Sequence, residues 1–177
     1  MAATEQMLAE LAALIDKQQL HELNVRYCMG VDRKDRALLS SLWSASATID
    51  FGLFNGSASE FCQLIVMDNP TVRIAHHFAS NELFDIHGDT ATGQSYVIGT
   101  TVNHQQDGSL QDQLVGGRYL DTYVREEGCW LFSQRLFVVD WVHAQYTLAD
   151  YQTGIAAAAI NGKSSTDDVA YHFPSLV

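Results

Sequence analysis

Between Thr71 and His143 the chain reads as four long strands joined by tight turns, and this run restricts the fold more than any other feature. Thr71 to Ile86 alternates weakly, and His87-Gly88-Asp89 then turns the chain into a second strand from Thr90 to His104. Gln106-Asp107-Gly108 is a hairpin signal leading to a third strand, Gln111 to Arg125. Glu127-Gly128 leads to a fourth, Cys129 to His143, rich in Trp130, Phe132, Phe137, Val138, Val139 and Trp141. Tyr119, Asp121 and Tyr123 share one side of the third strand, and Gly116-Gly117 within it marks a bulge or a close packing contact. Helical periodicity is confined to the segments before this meander. Helices first and antiparallel strands afterwards predict an α+β fold with the helices on one face of a sheet, and exclude a doubly wound parallel architecture.

Upstream, Thr4 is placed to cap a short helix carrying Met7, Leu8, Leu11 and Leu14. Asp16, with Gln19 three residues on, reads as a second helix start. Leu20, Leu23 and Tyr27 continue at helical spacing, and Gly30 reads as the stop. Asp32 then falls just past a helix C-terminus, where a carboxylate faces the negative end of the dipole. It needs a nearby cation there, or it caps a following helix from Arg33 to Trp43; Asp35 serves equally well as that cap. Thr48 to Phe51 reads as a short strand, Gly52 to Ser57 as a turn centred on Asn55-Gly56, and Ser57 or Ser59 as the start of a helix closed by Pro70. Beyond Tyr146 come a short helix through Ala156 to Ile160, a loop from Asn161 to Asp168, and a tail ending Tyr171-His172-Phe173-Pro174 that could cover a pocket or a neighbouring subunit. Residues 1–177 form one domain on this reading, with a core over about 16–143 and a tail over 144–177.

A chain of 177 residues with 47% hydrophobic and 18% charged content can bury a sizeable core. Its formal charge of −11, with only 10 basic residues, argues against nucleic acid and against an anionic membrane surface. No apolar run is long enough to span a bilayer, and Met1 to Glu10 lacks the basic start of a secretory signal. The cysteines, Cys28, Cys62 and Cys129, have no CxxC or metal spacing. The reading is a reduced, cytoplasmic protein with three core-type thiols.

There is no phosphate loop, nucleophile elbow, HExxH or EF-hand loop, so the histidines carry the chemistry. His76 and His77 are adjacent on a strand and point to opposite faces, which prevents joint chelation of a metal. Periodicity does not decide which faces inward: Ile74 and Phe78 share a side with His76, Ala75 and Ala79 with His77. The small neighbours of His77 leave room for a ligand. Imidazole accepts protons near neutrality, and a carboxylate on one ring nitrogen fixes the tautomer and stabilises the imidazolium. Without a Ser or Cys nucleophile, such a base acts on a substrate C–H bond.

The pattern Tyr27, Gly30-Val31-Asp32, His77-Phe78-x-x-Asn81, Gly117-Arg118-Tyr119, Tyr123, Gly128-x-Trp130-x-Phe132 and Arg135 resembles the SnoaL-like family over roughly Asp16 to Trp141. That family shares the cone-shaped α+β barrel of ketosteroid isomerases, scytalone dehydratase and nuclear transport factor 2. The motifs are most similar to lyases with a His-Asp dyad, γ-hexachlorocyclohexane dehydrochlorinase and bile-acid 7α-dehydratase. The resemblance implies N-terminal helices on a strongly curved, mostly antiparallel sheet enclosing a pocket. It places the family's base on His77 and its acid on Asp32. Tyr27 matches the tyrosine of the dehydratase, where the dehydrochlorinase has lysine. Arg135 matches an arginine that stabilises negative charge; an ion pair with an acid on the next strand is the alternative for it. Scytalone dehydratase uses a second histidine, for which His104 is the nearest candidate and lies too close to a hairpin end.

The resemblance thus implies a cofactor-independent, metal-free lyase of the dehydratase type, acting on a steroid, terpenoid or aromatic polyketide-like molecule and assembling as a homotrimer or dimer. An isomerase or polyketide cyclase using the same base is the first alternative. A non-catalytic binding module, like the small subunits of ring-hydroxylating dioxygenases, is the second.

Overall fold

The computed structural model describes residues 2–67, 71–147 and 152–172. A single helix, α1 (Ala2–Asp32), replaces the two short ones expected. Asp16 starts nothing: its carboxylate leaves the helix axis to accept from Arg125 Nη2 at 2.7 Å and Trp130 Nε1 at 3.1 Å. Gly30 does not stop the helix either. A Cβ there would lie 2.8 Å from Leu39 Cγ, so the glycine serves the close approach of the next helix. The stop falls at Lys34, which takes the left-handed conformation with φ +50°. Asp32 is therefore the last helical residue.

Before Asp16 the helix stands clear of the domain, with Met7, Leu8, Leu11, Leu14 and Ile15 exposed. Beyond it Leu20, Leu23 and Tyr27 are buried. The next helix, α2 (Arg36–Ser40), is one short turn rather than a run to Trp43. Asp35 caps it through the Leu38 N–H.

Trp43 instead opens β1 (Trp43–Asp50), longer than the strand expected from Thr48. The Asp50 carboxylate accepts from the Gly52 N–H and from Asn55 Nδ2, which moves the turn upstream of Asn55-Gly56. Those residues form β2 (Asn55–Ser57), antiparallel to β1. Ser57, not Ser59, caps α3 (Ala58–Ile65) in a reciprocal box with Glu60. Pro70, the expected end of this helix, lies outside the described residues.

The four long strands form as read: β3 (Val72–His87), β4 (Thr90–His104), β5 (Leu110–Glu126) and β6 (Cys129–Tyr146). The sheet order is β2-β1-β6-β5-β4-β3, antiparallel except where β1 runs parallel to β6. The sheet is curved and open, with edges at β2 and β3, and does not close into a barrel. Register shifts bend it between Ser80 and Leu83, Gly116 and Gly117, and Thr122 and Tyr123. The bulge at Asn81, φ +50°, has a further consequence. Ala75, His77 and Ala79 face inward before it; Glu82, Phe84 and Ile86 face inward after it.

The concave face packs its aromatic rings against α1, α2 and α3: Trp43, Tyr119, Tyr123, Trp130 and Phe132 are all buried. The convex face leaves Phe78, Tyr96, Ile98 and Trp141 exposed. A short helix, α4 (Gly154–Ala158), and a 3₁₀ turn (Val169–His172) follow the sheet. The expected helix there began at Ala156. Cys28 and Cys62 are buried as expected, but Cys129 opens β6 at an exposed edge position. Among the described residues no helix is long and apolar enough to cross a membrane.

Candidate active site

The end of α1 meets the middle of β3 at one acid and one imidazole. Asp32 is 5% exposed and sits under the strand. Its Oδ1 lies 2.6 Å from His77 Nδ1, and its Oδ2 accepts the His77 main-chain N–H at 3.0 Å. A carboxylate that binds both the ring and the backbone of one residue fixes both χ1 and ring orientation. Because the partner at Nδ1 is an acceptor, the proton belongs on Nδ1 and leaves Nε2 as a lone-pair site. The opposite strand makes room for the ring: His77 pairs with Gly99, and a Cβ on Gly99 would stand 3.2 Å from His77 Cδ2 and 3.3 Å from Nε2.

Behind the acid, the C-terminal segment crosses the end of α1. Ser164 Oγ donates to the Asp32 carbonyl at 2.9 Å, and Tyr171 Oη donates to Asp35 at 2.8 Å. Burial pulls the Asp168 carboxyl upward, but donation from the Lys163 and Ala170 N–H groups and the charge of Arg33 outweigh it and hold the carboxyl below its ordinary range. The tail thus covers the dyad from outside. Its continuation through Phe173 and Pro174 lies outside the described residues.

His77 also lines a cavity of about 530 Å³ between helices and sheet. Tyr27, Phe51, Phe61 and Tyr119 supply aromatic walls. A smaller chamber of about 190 Å³ adjoins it, sharing Phe51, His77, Thr101 and Tyr119. Among the described residues no carboxylate lines either space, and His77 carries their one imidazole. A hydrophobic guest of modest size fits such a volume.

Tyr27 is 2% exposed, and burial pushes its hydroxyl well above the ordinary tyrosine value, so it stays a proton donor through the working pH range. Arg135 is fully buried behind it. Its Nε and Nη2 each donate to Asp121 at 2.8 Å, and Nη2 also donates to Asn24. Its guanidinium carbon lies 4.0–4.2 Å from the ring centroids of Tyr27, Tyr119 and Phe132. Burial works against the charge, and Asp121 more than restores it, so Arg135 stays cationic. Arg135 is not among the cavity-lining residues; its neighbours Tyr27 and Tyr119 are.

The structure therefore brings Asp32, His77 and Tyr27 to the cavity region and sets Arg135 behind its rings. His76 stacks on Phe78 at 4.6 Å and does not line the apolar cavity, and His104 is exposed at a strand end. Sequence reasoning did not single out Gly99, Asn24 or Glu82. Asn24 Nδ2 donates to Glu82, which also meets His21 at 2.6 Å, so a polar chain runs from the surface to Arg135. The spacing of Leu20, Leu23 and Tyr27 puts Asn24 on the same helix face, and that was the available signal.

The sequence profile described as the SnoaL-like domain matches residues 12–136, which include Asp32, His77 and most of the sheet and of the cavity wall. The chain belongs to the SnoaL-like family. Solved structures agree on the fold. A type 2 hexachlorocyclohexane dehydrochlorinase (LinA) superposes with TM-score 0.69 at 19% identity, covering 77% of this chain and 93% of its own. The LinA-type3 dehydrochlorinase of Novosphingobium barchaimii gives 0.68 at 20%, covering 77% and 94%. A scytalone dehydratase-like protein of Novosphingobium aromaticivorans gives 0.64 at 18%, covering 74% and 88%. At these identities the likeness establishes the nuclear transport factor 2-like fold of this SnoaL-like domain and nothing about its reaction. No curated protein sequence matches the chain.

Proposed function

We propose that this SnoaL-like protein is a cofactor-independent lyase that removes water from a small hydrophobic substrate. The observation that carries the reading is His77: its Nδ1 is held by Asp32 while its ring borders an apolar cavity. Nε2 takes a proton from carbon, one acidified by an adjacent carbonyl. The C–H electron pair becomes the new double bond. The hydroxyl on the neighbouring carbon departs with its bonding pair and takes a proton from Tyr27 or from the imidazolium, leaving as water. Asp32 keeps the imidazole oriented and stabilises its cation. Arg135 holds the Tyr27 and Tyr119 rings in place and lends a positive charge behind them; it is a positioning residue, since Asp121 already takes two of its donors.

A second reading uses the same base. Among the described residues the cavity holds one imidazole and no carboxylate, which suits a proton moved within one molecule, as in an isomerase or cyclase. The protein is read as cytoplasmic, with free thiols, and as associating through its exposed convex face into a dimer or trimer. The test is mass spectrometry on a panel of lipophilic β-hydroxy ketones and β,γ-unsaturated ketones. Loss of 18 mass units, abolished in His77→Ala, supports the dehydratase. His77-dependent rearrangement at constant mass supports the isomerase. Turnover unaffected by His77→Ala would remove the dyad from either mechanism.

A further inference from the structure

The acids of this chain outnumber its bases, giving a formal charge of −11, yet the mouth of the cavity is basic. Lys34 lines the apolar cavity and also a neighbouring polar recess of about 460 Å³. Val72 and Ser164 are shared by both, so the two spaces adjoin. The recess adds Arg73 and Lys163, and among the described residues no Asp or Glu lines either space. Three of the ten basic residues thus meet at one opening.

Two carboxylates close in the chain, Asp35 and Asp168, are occupied. Asp35 accepts from the Leu38 N–H and from Tyr171, and Asp168 accepts from the Lys163 and Ala170 N–H groups and pairs with Arg33. Among the described residues neither Lys34 nor Lys163 has a carboxylate at ion-pairing distance. Lys34 is also half-buried and holds the left-handed backbone conformation, a position where glycine would serve with less strain. A lysine ammonium without a counter-ion, placed where an apolar chamber opens into a polar one, has the chemistry of a head-group site. In a chain this acidic it is also where the field attracts an anion rather than repelling it.

We propose that the ligand is an amphipathic anion: an apolar body fills the cavity beside His77, and a charged oxygen head group is held at the mouth by Lys34 and Lys163, with Arg73 adding to the field. The lysines act as point charges, so carboxylate and phosphate are both admitted. Binding the head group there orients the body toward His77 Nε2 and fixes which carbon meets the base. The inference deepens the proposed function and rests on the cavity it describes.

Displacement of the neutral fluorophore N-phenyl-1-naphthylamine from the full chain tests it, with decanol, decanoate and decyl phosphate as competitors. Decanoate should displace the dye at a concentration about fivefold or more below that of decanol, a gap of the size one to two partly screened charges supply. The gap should close in the double variant Lys34→Gln/Lys163→Gln and shrink with added salt, while decanol stays within twofold throughout. Decyl phosphate on either side of decanoate identifies the preferred head group. Equal displacement by decanol and decanoate in the unaltered protein overturns the head-group site and leaves the cavity standing. Dye that never enters the protein overturns the cavity, and both readings with it. A double variant that loses the dye as well as decanoate also overturns the site, because the lysines would then be supporting the cavity wall.

Discussion

The interior of this protein holds two acid–base pairs that look alike on paper and differ in what they leave over. Asp121 and Arg135 face each other on β5 and β6, and both side chains are wholly buried. Asp32 and His77 join the end of α1 to β3, with 21% of the imidazole still exposed. The guanidinium keeps its proton at any working pH and gives two donors to Asp121. The His77 ring has one nitrogen, Nδ1, committed to Asp32 and leaves the other, Nε2, without a carboxylate partner among the described residues. Burial alone therefore does not separate the pair proposed to be catalytic from the structural one. What marks the former is a titratable atom left uncommitted beside an open volume. The arginine pair closes the core between three aromatic rings, and the histidine pair aims a base at the cavity.

The two pairs should fail in different ways when either is broken. Arg135→Met should cost roughly 3–5 kcal/mol of stability, because it strands the Asp121 carboxylate in a dry site. Part of that loss should return in the double variant with Asp121→Leu. His77→Gln should leave the unfolding midpoint nearly unchanged, since a glutamine can still donate to Asp32, while turnover falls by about 10²–10⁴. Denaturant titration and steady-state kinetics on the same preparations check both. A His77 variant that unfolds while Arg135→Met merely slows turnover would invert the assignment.

Much of the scaffold was legible, and the reasons are local. Gly88 and Gly128 take φ +61° and +82° at the tight turns, and sequence marks such positions well. The elements that fail to read depend on tertiary partners. Gly30 reads as a helix stop, yet its missing Cβ serves Leu39, and the chain turns four residues later at Lys34. Periodicity could not choose between His76 and His77 because the bulge at Asn81 reverses the inward parity of β3 halfway along. The Arg135 ion pair was foreseen as an alternative, but its partner was hidden by another bulge. Extending the Glu126–Cys129 pair without interruption would place Asp121 opposite Gln134, and the shift at Thr122–Tyr123 moves it to Arg135. Asp32 and His77 are 45 residues apart and were linked by family resemblance alone, not by any spacing rule.

A finer test separates the position of the base from its presence. Gly99→Ala puts a methyl group 3.2–3.3 Å from the His77 ring, which must then move by a few tenths of an ångström. Alanine is no worse than glycine for strand stability, so the unfolding midpoint should hold or rise slightly. Turnover should fall about tenfold, because displacements of this kind degrade the attack geometry. The pH profile of the residual activity should keep its shape, since the ring and its Asp32 contact remain. An unchanged rate would mean that the His77 ring has slack, and that Asp32 sets its position less tightly than the two hydrogen bonds imply.

A third pair, Asp16 with Arg125, is more exposed than either of the other two and sets the lower end of the scale. The hydrogen bond from Arg125 dominates the carboxyl and, with donation from Trp130 Nε1 and against some burial, holds it below the ordinary aspartate value of 3.8. A carboxyl whose folded value is depressed contributes stability that is complete above its unfolded value and is lost as pH falls through the folded one. The contribution of Asp16 should therefore be constant from neutrality down to about pH 5 and fade below pH 4. Its size should stay within about 1 kcal/mol, as for other pairs open to solvent. Comparing the unaltered chain with Asp16→Asn by denaturant titration at pH 7 and pH 3 measures it: the difference at pH 7 should largely vanish at pH 3. A difference that persists at pH 3 would assign the stabilisation to Trp130 and the packing of α1 rather than to charge.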